Sequence, residues 1–163
     1  MRSGTLNVPG IVGMGEAARI LVDEGEREAL RLRGLRDDLE SGIWERVPDA
    51  EVNGDREHRL PHLTNLAFPG AKGDALMAGL RDLAVSSGSA CTSARLEPSH
   101  VLKAMGLSDD LSRSSLRFSL GRFTTPEEVR RARDMVVEEV SRLRSPAGIP
   151  SPAGQDVLRE ERP

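Results

Sequence analysis

The sequence predicts an α+β fold, in which a small, mainly antiparallel sheet is covered by helices on one side and preceded by a long helical region. No further proline follows Pro9 as far as Arg46, and short alternating apolar segments come after this stretch. The length of 163 residues suits one compact domain, for which roughly 100 to 200 residues are usual. We therefore expect a helical segment over residues 1–46, a small α+β domain over 47–145 and a flexible tail over 146–163.

Apolar side chains at three- and four-residue spacing mark one face of a helix in the first segment. That face holds Leu32, Leu35, Leu39 and Ile43. An earlier apolar stripe holds Ile11, Val12, Ala18, Leu21 and Val22. Pro9 fits the first helical turn, where its missing N–H is tolerated. The pattern predicts one long helix or two abutting helices.

Alternating residues after the helix predict short strands at 50–53 and 63–68, separated by a polar loop at 54–61. Asp74 is suited to cap the helix that follows. Residues 83–85 are predicted to form a short buried strand. This order of two strands, a helix and a strand indicates a small mixed sheet.

Short elements are predicted in the next part of the chain. Residues 98–105 are expected to form a two-turn helix closed by Gly106, and Ser108 begins a further short turn. Residues 115–120 alternate as a strand, which directs Arg117 away from the apolar residues of that strand.

The last predicted helix has a well-marked start. Thr125, Pro126 and Glu128 combine a cap, a proline in the first turn and a glutamate three residues after the cap. The apolar face of this helix holds Val129, Ala132, Val136, Val140 and Leu143.

Composition argues against several functional classes. No apolar run approaches the roughly 20 residues that cross a bilayer, so we expect no membrane partner. An aromatic content of 2% and a net charge of −3 argue against nucleic acid, which is bound by stacking side chains and positive charge. The single cysteine, Cys91, excludes an internal disulfide framework and a zinc site with several cysteine ligands. No signal peptide is recognised, so we expect a cytoplasmic protein.

Cys91 is the first candidate for chemistry, because it lies in the Ser- and Gly-rich segment 86–93. Hydroxyls and amides of such a loop can hydrogen-bond a thiolate, and a flexible loop lets the thiol travel. A lone cysteine is also common as a small buried hydrophobe. A Cys/His dyad or a metal site with His58 and His62 has no local signature, and Pro61 keeps the two histidines off a shared helical face.

Arg117 is the second candidate. A fork of N–H donors held on a strand suits bidentate binding of a carboxylate. On spacing alone, a solvated arginine on the wet face of a sheet is the simpler interpretation. Arg122 has the same two interpretations.

Two runs of the sequence are highly specific together: the cysteine loop at 86–93 and the run Ser-Leu-Arg-Phe-Ser-Leu-Gly-Arg-Phe-Thr-Thr at 115–125. Further motifs are Arg-Ser-Gly-Thr at 2–5, Pro-Gly-Ile-Val-Gly at 9–13, Leu-Pro-His at 60–62, Asn-Leu at 65–66 and Leu-Glu-Pro-Ser at 96–99. Together they resemble the C-terminal portion of cysteine desulfurases of the NifS/IscS branch, which are class-V aminotransferase-like pyridoxal-phosphate enzymes. The resemblance covers about residues 2–145.

The resemblance implies the small domain of a fold-type I pyridoxal-phosphate enzyme, with residues 1–46 joining it to the large domain. It implies that Cys91 attacks the sulfur of cofactor-bound L-cysteine and keeps it as a persulfide while L-alanine leaves. Arg117 matches the arginine that binds the substrate α-carboxylate. Thr5 matches the threonine that reaches the cofactor phosphate from the other subunit of a homodimer.

The resemblance also implies what receives the sulfur, namely an iron–sulfur scaffold or another acceptor protein. It implies no intrinsic metal site, although the Cys91 persulfide can serve as a transient iron–sulfur ligand. His62, Asn65 and Ser119 lie in the same motifs, and we assign them no catalytic role.

The sequence departs from the family in its lysines. The family's Schiff-base lysine, cofactor-stacking histidine and pyridine-facing aspartate precede the Arg-Ser-Gly-Thr motif, which stands here at residue 2. Neither Lys72 nor Lys103 replaces the missing lysine. We therefore expect the chain to be inactive unless a cofactor domain is supplied, and to self-associate through an exposed apolar stripe of its helical region. The alternatives are a non-enzymatic persulfide relay through Cys91 and a nonfunctional remnant.

Overall fold

A computed structural model describes residues 4–87 and 98–145 of the chain. Within them it contains five helices and three strands. In chain order these elements are α1 (Val8–Trp44), β1 (Glu51–Val52), β2 (Leu63–Ala67), α2 (Gly73–Gly79), α3 (His100–Ala104), α4 (Asp109–Arg113), β3 (Ser115–Ser119) and α5 (Pro126–Arg144).

The helical region forms the single helix α1 of 37 residues, about 55 Å long at about 1.5 Å per residue. The side chain of Asn7 begins it by accepting a hydrogen bond from the Gly10 N–H at 3.1 Å. Pro9 lies in the first turn, as predicted. The structure thus selects the long helix over two abutting ones.

The sheet is antiparallel, with the strand order β1-β2-β3. Leu66 of the central strand faces Val52 on one side and Leu116 on the other. Leu66 and Leu116 are fully buried, because α1 and α5 cover this face of the sheet. The α+β prediction of a small antiparallel sheet with helices on one side is confirmed.

The core joins the sheet, the second half of α1 and the apolar face of α5. Each fully buried leucine or valine side chain in it stabilises the fold by about 1.5–3 kcal/mol. The predicted helix faces supply most of these residues: Leu32, Leu35, Leu39, Ile43, Val129, Ala132, Val136 and Val140 are buried. The capping box of α5 is also present, with the Glu128 N–H donating to Thr125 Oγ1 at 3.2 Å and the Thr125 N–H to Glu128 Oε2 at 2.8 Å.

The predicted strand at 83–85 is wrong. The chain turns after α2, where the Leu83 N–H donates to the Leu80 carbonyl at 3.0 Å, and Ala84 is exposed. Leu83 and Val85 pack against the core without forming a ladder. Among the described residues of this segment, pairing with β3 consists of one bridge at the next residue, Ser86.

Two predicted helix boundaries also differ from the structure. Lys72, and not Asp74, is the capping residue of α2, and Asp74 lies in the first turn, where a carboxylate is favourable to the helix dipole. The predicted helix at 98–105 is shorter, because Ser99 caps it through the Leu102 N–H. Gly106 follows α3 with a φ of +91°, a conformation that suits glycine.

The first half of α1 lies outside the core. Its first buried residue is Leu32, whereas Met14, Leu21 and Val22 are 71%, 70% and 85% exposed. The predicted earlier apolar stripe is therefore solvent-facing in this chain. None of the helices in the described ranges is long and apolar enough to cross a membrane.

Candidate active site

Arg117 lies at the centre of β3, and its side chain is exposed on the face of the sheet away from the helices. The flanking residues Leu116 and Phe118 point into the core and are 0% and 4% exposed. Alternation along the strand therefore fixes the backbone of Arg117 while leaving its guanidinium accessible.

The segment that leads into the cysteine loop is hydrogen-bonded to Arg117 itself. The Arg117 N–H donates to the Ser86 carbonyl at 2.7 Å, and the Ser86 N–H donates to the Arg117 carbonyl at 3.2 Å. Cys91 and most of the predicted loop at 86–93 lie outside the described residues. The first residue of that loop, Ser86, is hydrogen-bonded to the strand position that carries the candidate arginine.

Arg117 differs from most other arginines in its electrostatic surroundings. In the part of the chain that the structure describes, no carboxylate lies within 4.0 Å of its guanidinium. Arg59, by contrast, makes two bonds to the buried Glu40 carboxylate, at 2.6 and 2.9 Å, and the hydrogen bond with Glu40 raises the pKa of Arg59. The Arg117 cation is thus available to an external anion.

Two polar residues share the exposed face with Arg117. Asn65 on β2 is directly opposite Arg117 in the register, and the Asn53 N–H donates to the Asn65 carbonyl at 2.9 Å. The side chains of the two asparagines are also bonded, from Asn53 Nδ2 to Asn65 Oδ1 at 2.6 Å. Asn65 lies in a motif of the sequence, whereas nothing local singles out Asn53, whose place beside Asn65 depends on the strand register.

The loop after β3 is fastened to α1. The Arg31 guanidinium donates to the carbonyls of Thr124 and Arg122 at 2.8 and 2.9 Å, and to the Glu28 carboxylate. The hydrogen bond between Arg31 and Glu28 raises the pKa of the arginine and lowers the pKa of the glutamate. Arg122 forms an ion pair with Glu24 of α1. Arg122 therefore contributes to attaching this loop, which supports its structural interpretation.

Thr5 is exposed, three residues before α1 begins. The contacts of Arg31 with the loop after β3 lie 23 helical residues beyond Val8, or about 35 Å along the axis. The structure therefore does not bring Thr5 and Arg117 of one chain together.

The two lysines do not form a cofactor site with these residues. Lys103 pairs with Asp109 at 3.0 Å, and Lys72 is the exposed capping residue of α2. Neither lies on β2, on β3 or in the segment of Thr5. The described residues thus do not fit a complete pyridoxal-phosphate site.

Within residues 4–87 and 98–145, no group of three or more His, Cys, Asp or Glu side chains is placed to hold a metal ion.

Comparison with known proteins gives consistent matches. The family model for aminotransferase class-V matches residues 1–132. The chain is 56% identical over 147 residues to the cysteine desulfurase IscS of Photorhabdus laumondii, and 54% identical over 143 residues to that of Anaeromyxobacter dehalogenans. Each alignment covers 88% of this chain and 35% of the relative.

Solved structures match in the same region. A NifS-like protein superimposes with a TM-score of 0.73 at 33% identity, over 86% of this chain and 35% of that protein. A NifS-like protein from Rickettsia africae gives a TM-score of 0.74 at 28% identity, over 86% of this chain and 36% of that protein. The chain therefore spans about a third of the length of the relatives it matches.

Proposed function

Because the chain belongs to the aminotransferase class-V family, we propose that it is the part of a cysteine desulfurase that carries the sulfur-accepting cysteine and the carboxylate-binding arginine. The observation that carries this proposal is the backbone pairing of Ser86 with Arg117. It joins the segment that leads to Cys91 to the strand that holds an accessible cation.

Arg117 is proposed to bind the α-carboxylate of L-cysteine. A guanidinium presents parallel N–H donors that match the two oxygens of a carboxylate. Burial of Leu116 and Phe118 restrains the strand beneath it, so that little backbone motion is needed on binding. The absence of a paired carboxylate in the described ranges supports this role, because no internal ion pair has to be broken first.

Cys91 is proposed to accept the sulfur. It is the fifth residue after Ser86, so chain length keeps it within about 18 Å of that anchor at up to about 3.6 Å per residue. Its thiolate attacks the sulfur of L-cysteine, forming a sulfur–sulfur bond as the carbon–sulfur bond breaks. The electron pair left on the β-carbon takes up a proton, which yields L-alanine and a Cys91 persulfide.

Pyridoxal phosphate supplies the electron sink that such carbon–sulfur cleavage requires. The described residues do not fit this cofactor by themselves, so its lysine is proposed to belong to the part of the enzyme that this chain does not span. Thr5 is proposed to reach the phosphate across a homodimer interface. This assignment agrees with its exposure and with its separation from Arg117 within one chain.

The proposed enzyme is cytoplasmic and transfers the persulfide sulfur to an iron–sulfur scaffold or another acceptor protein. The resemblance of the sequence to the NifS/IscS branch supports these roles.

The test is production of L-alanine and persulfide from L-cysteine with added pyridoxal phosphate. The chain is assayed alone and mixed with a separately expressed N-terminal part of the IscS of Photorhabdus laumondii. The C-terminal part of the same relative serves as the matched positive control. We expect no turnover by the chain alone and turnover by the mixture, with loss of persulfide in Cys91→Ala.

Arg117→Gln separates the enzyme from a relay module. Loss of a bidentate charged contact is expected to lower kcat/KM for L-cysteine by about a hundredfold. A relay needs no carboxylate contact, so acceptance of sulfur by Cys91 from an already persulfidated donor protein would be unaffected by Arg117→Gln. Failure of the mixture to turn over, while the control mixture is active, would contradict the proposed function.

A further inference from the structure

A row of polar side chains crosses the exposed face of the sheet at Arg117. Asn53, Asn65 and Arg117 occupy adjacent positions on three neighbouring chain segments, as the register and the bond from the Asn53 N–H to the Asn65 carbonyl show. Directly opposite residues of an antiparallel pair have Cβ atoms about 4.5–5.5 Å apart. The Asn65 amide and the base of the Arg117 side chain are therefore neighbours.

A backbone carbonyl sets the orientation of the amides in this row. The carbonyl of Leu111 can only accept, and it takes the hydroxyl proton of Ser115 at 2.6 Å. The Ser115 oxygen is then left to accept, and Asn53 Nδ2 donates to it at 2.9 Å. The second proton of Asn53 Nδ2 goes to Asn65 Oδ1 at 2.6 Å.

It follows that Asn65 presents its Nδ2 group, and not its oxygen, to the remaining space. Within the described ranges no acceptor takes this donor. In these ranges, the fully buried side-chain atoms without a hydrogen-bond partner are Thr64 Oγ1 and Ser112 Oγ. Because Asn65 Nδ2 also lacks a partner but is not among them, this group is not fully buried and solvent reaches it.

The side chains of Arg117 and Asn65 both present donors on this face of the sheet. Arg117 has no acceptor, and Asn65 turns its Nδ2 group outward because its side-chain oxygen accepts from Asn53. The donors of Arg117 and Asn65 can therefore bind the same anion above the sheet. A carboxylate suits both, because it has about four acceptor sites.

We propose that Asn65 is a second ligand of the carboxylate that Arg117 binds, with Asn53 locking the Asn65 amide in the donating orientation. This inference rests on the proposed function, which assigns the carboxylate to L-cysteine. Arg117 supplies the charge and a pair of N–H donors, and Asn65 Nδ2 supplies a third hydrogen bond. The arrangement selects amino acids with a free α-carboxylate over their amides.

The test uses the ¹⁵N-labelled chain titrated with L-alanine, the proposed product, and with L-alaninamide as the matched probe without a carboxylate. We expect saturable shifts of the Asn65 side-chain amide and of the Arg117 backbone signal with L-alanine, and none with L-alaninamide. Asn65→Ala should weaken L-alanine binding about tenfold, the effect of one charge-assisted hydrogen bond. Asn53→Ala should weaken it by about threefold, because the Asn65 amide is then free to rotate.

Asn65→Asp is a second variant, which tests the role of the Asn65 donor with little change in side-chain size. It keeps an oxygen for Asn53 but removes the donor and places a competing carboxylate beside Arg117, so L-alanine binding should disappear. Ser119→Ala, on the same face of β3, is the control and should change the affinity less than twofold. Circular dichroism and thermal melting show that each variant is folded.

The outcomes separate this inference from the proposed function. If Asn65→Ala and Asn65→Asp both bind L-alanine like the parent chain while Arg117→Gln does not, the role of Asn65 is wrong and that of Arg117 stands. If the parent chain gives no carboxylate-dependent shifts, or Arg117→Gln binds as the parent does, the carboxylate site of the proposed function fails as well.

Discussion

The two halves of α1 both have an apolar stripe but differ in their surroundings. Both carry apolar residues at helical spacing, yet Leu39 and Ile43 in the second half are 2% and 0% exposed, whereas Leu21 and Val22 in the first half are 70% and 85% exposed. Ion pairs in the first half, such as Arg19 with Glu16 and Asp23, lie on the surface and contribute little. Stability of this chain therefore resides in the second half of α1 and in the elements that pack on it.

The largest expected effect is a core substitution compared with its counterpart on the exposed half of α1. Leu116→Ala removes a fully buried side chain on the inner face of β3, and we expect the free energy of unfolding to fall by about 2–5 kcal/mol. Leu21→Ala should leave it within about 0.5 kcal/mol. Urea unfolding followed by circular dichroism measures both values. Similar losses in the two variants would show that the first half of α1 is packed in solution.

A buried ion pair gives the next largest difference between the two regions. Glu40 is 3% exposed and bonded to Arg59, so Arg59→Met leaves a buried carboxylate without its cation. We expect a loss of about 1–3 kcal/mol, because the charge-assisted bonds are not replaced. Arg19→Met on the exposed half is the control, expected to cost less than about 1 kcal/mol. Equal effects would mean that the Glu40 carboxylate is hydrated in solution.

Local signals made the elements that pack on the second half of α1 predictable from the sequence. The capping box of Thr125 and Glu128 and the apolar face beginning at Val129 locate α5, because both depend on residues within one or two turns. Alternation alone predicted that Arg117 faces away from the core. These features need no knowledge of which strand pairs with which.

Contacts between distant residues explain what the sequence could not predict. The row from Asn53 to Arg117 exists only once the register of β1, β2 and β3 is set, and Arg31 meets Thr124 across 93 residues. The residues at 83–85 look like a strand because they are apolar, but the chain turns at Leu80 and the bridge to β3 is made by the next residue, Ser86. Apolar periodicity also does not show whether a stripe is covered, and the stripe at Leu21 is exposed to solvent.

Self-association is the third prediction, and it concerns the exposed half of α1 directly. Apolar side chains such as Met14, Leu21 and Val22 form a solvent-facing surface, and burial between chains would remove it from water. We expect the chain to form dimers or larger species at high concentration in sedimentation velocity. Leu21→Glu should weaken this association at least several-fold, whereas Met77→Glu, on the partly exposed α2, should not. A monodisperse monomer at high concentration would contradict the prediction.

The smallest expected effect is the response of the two regions to acid. Glu139 of α5 and Glu16 of α1 both have a pKa that is lowered first of all by a hydrogen bond to an arginine, Arg142 and Arg19 respectively. Glu139 is 9% exposed and belongs to the core region, whereas the Glu16 side chain is 54% exposed.

A carboxyl group whose pKa is lower in the folded protein stabilises the fold above its unfolded pKa, about 4.3 for glutamate, and loses that contribution as the pH falls through the folded value. Glu139→Gln should therefore lower the melting temperature near pH 6 and flatten its decline below about pH 4.3. Glu16→Gln should leave the curve unchanged, because the first half of α1 does not unfold together with the core. Melting temperatures recorded from pH 6 to pH 3 by circular dichroism measure both curves. An equal flattening in the two variants would show that the exposed half of α1 melts cooperatively with the sheet.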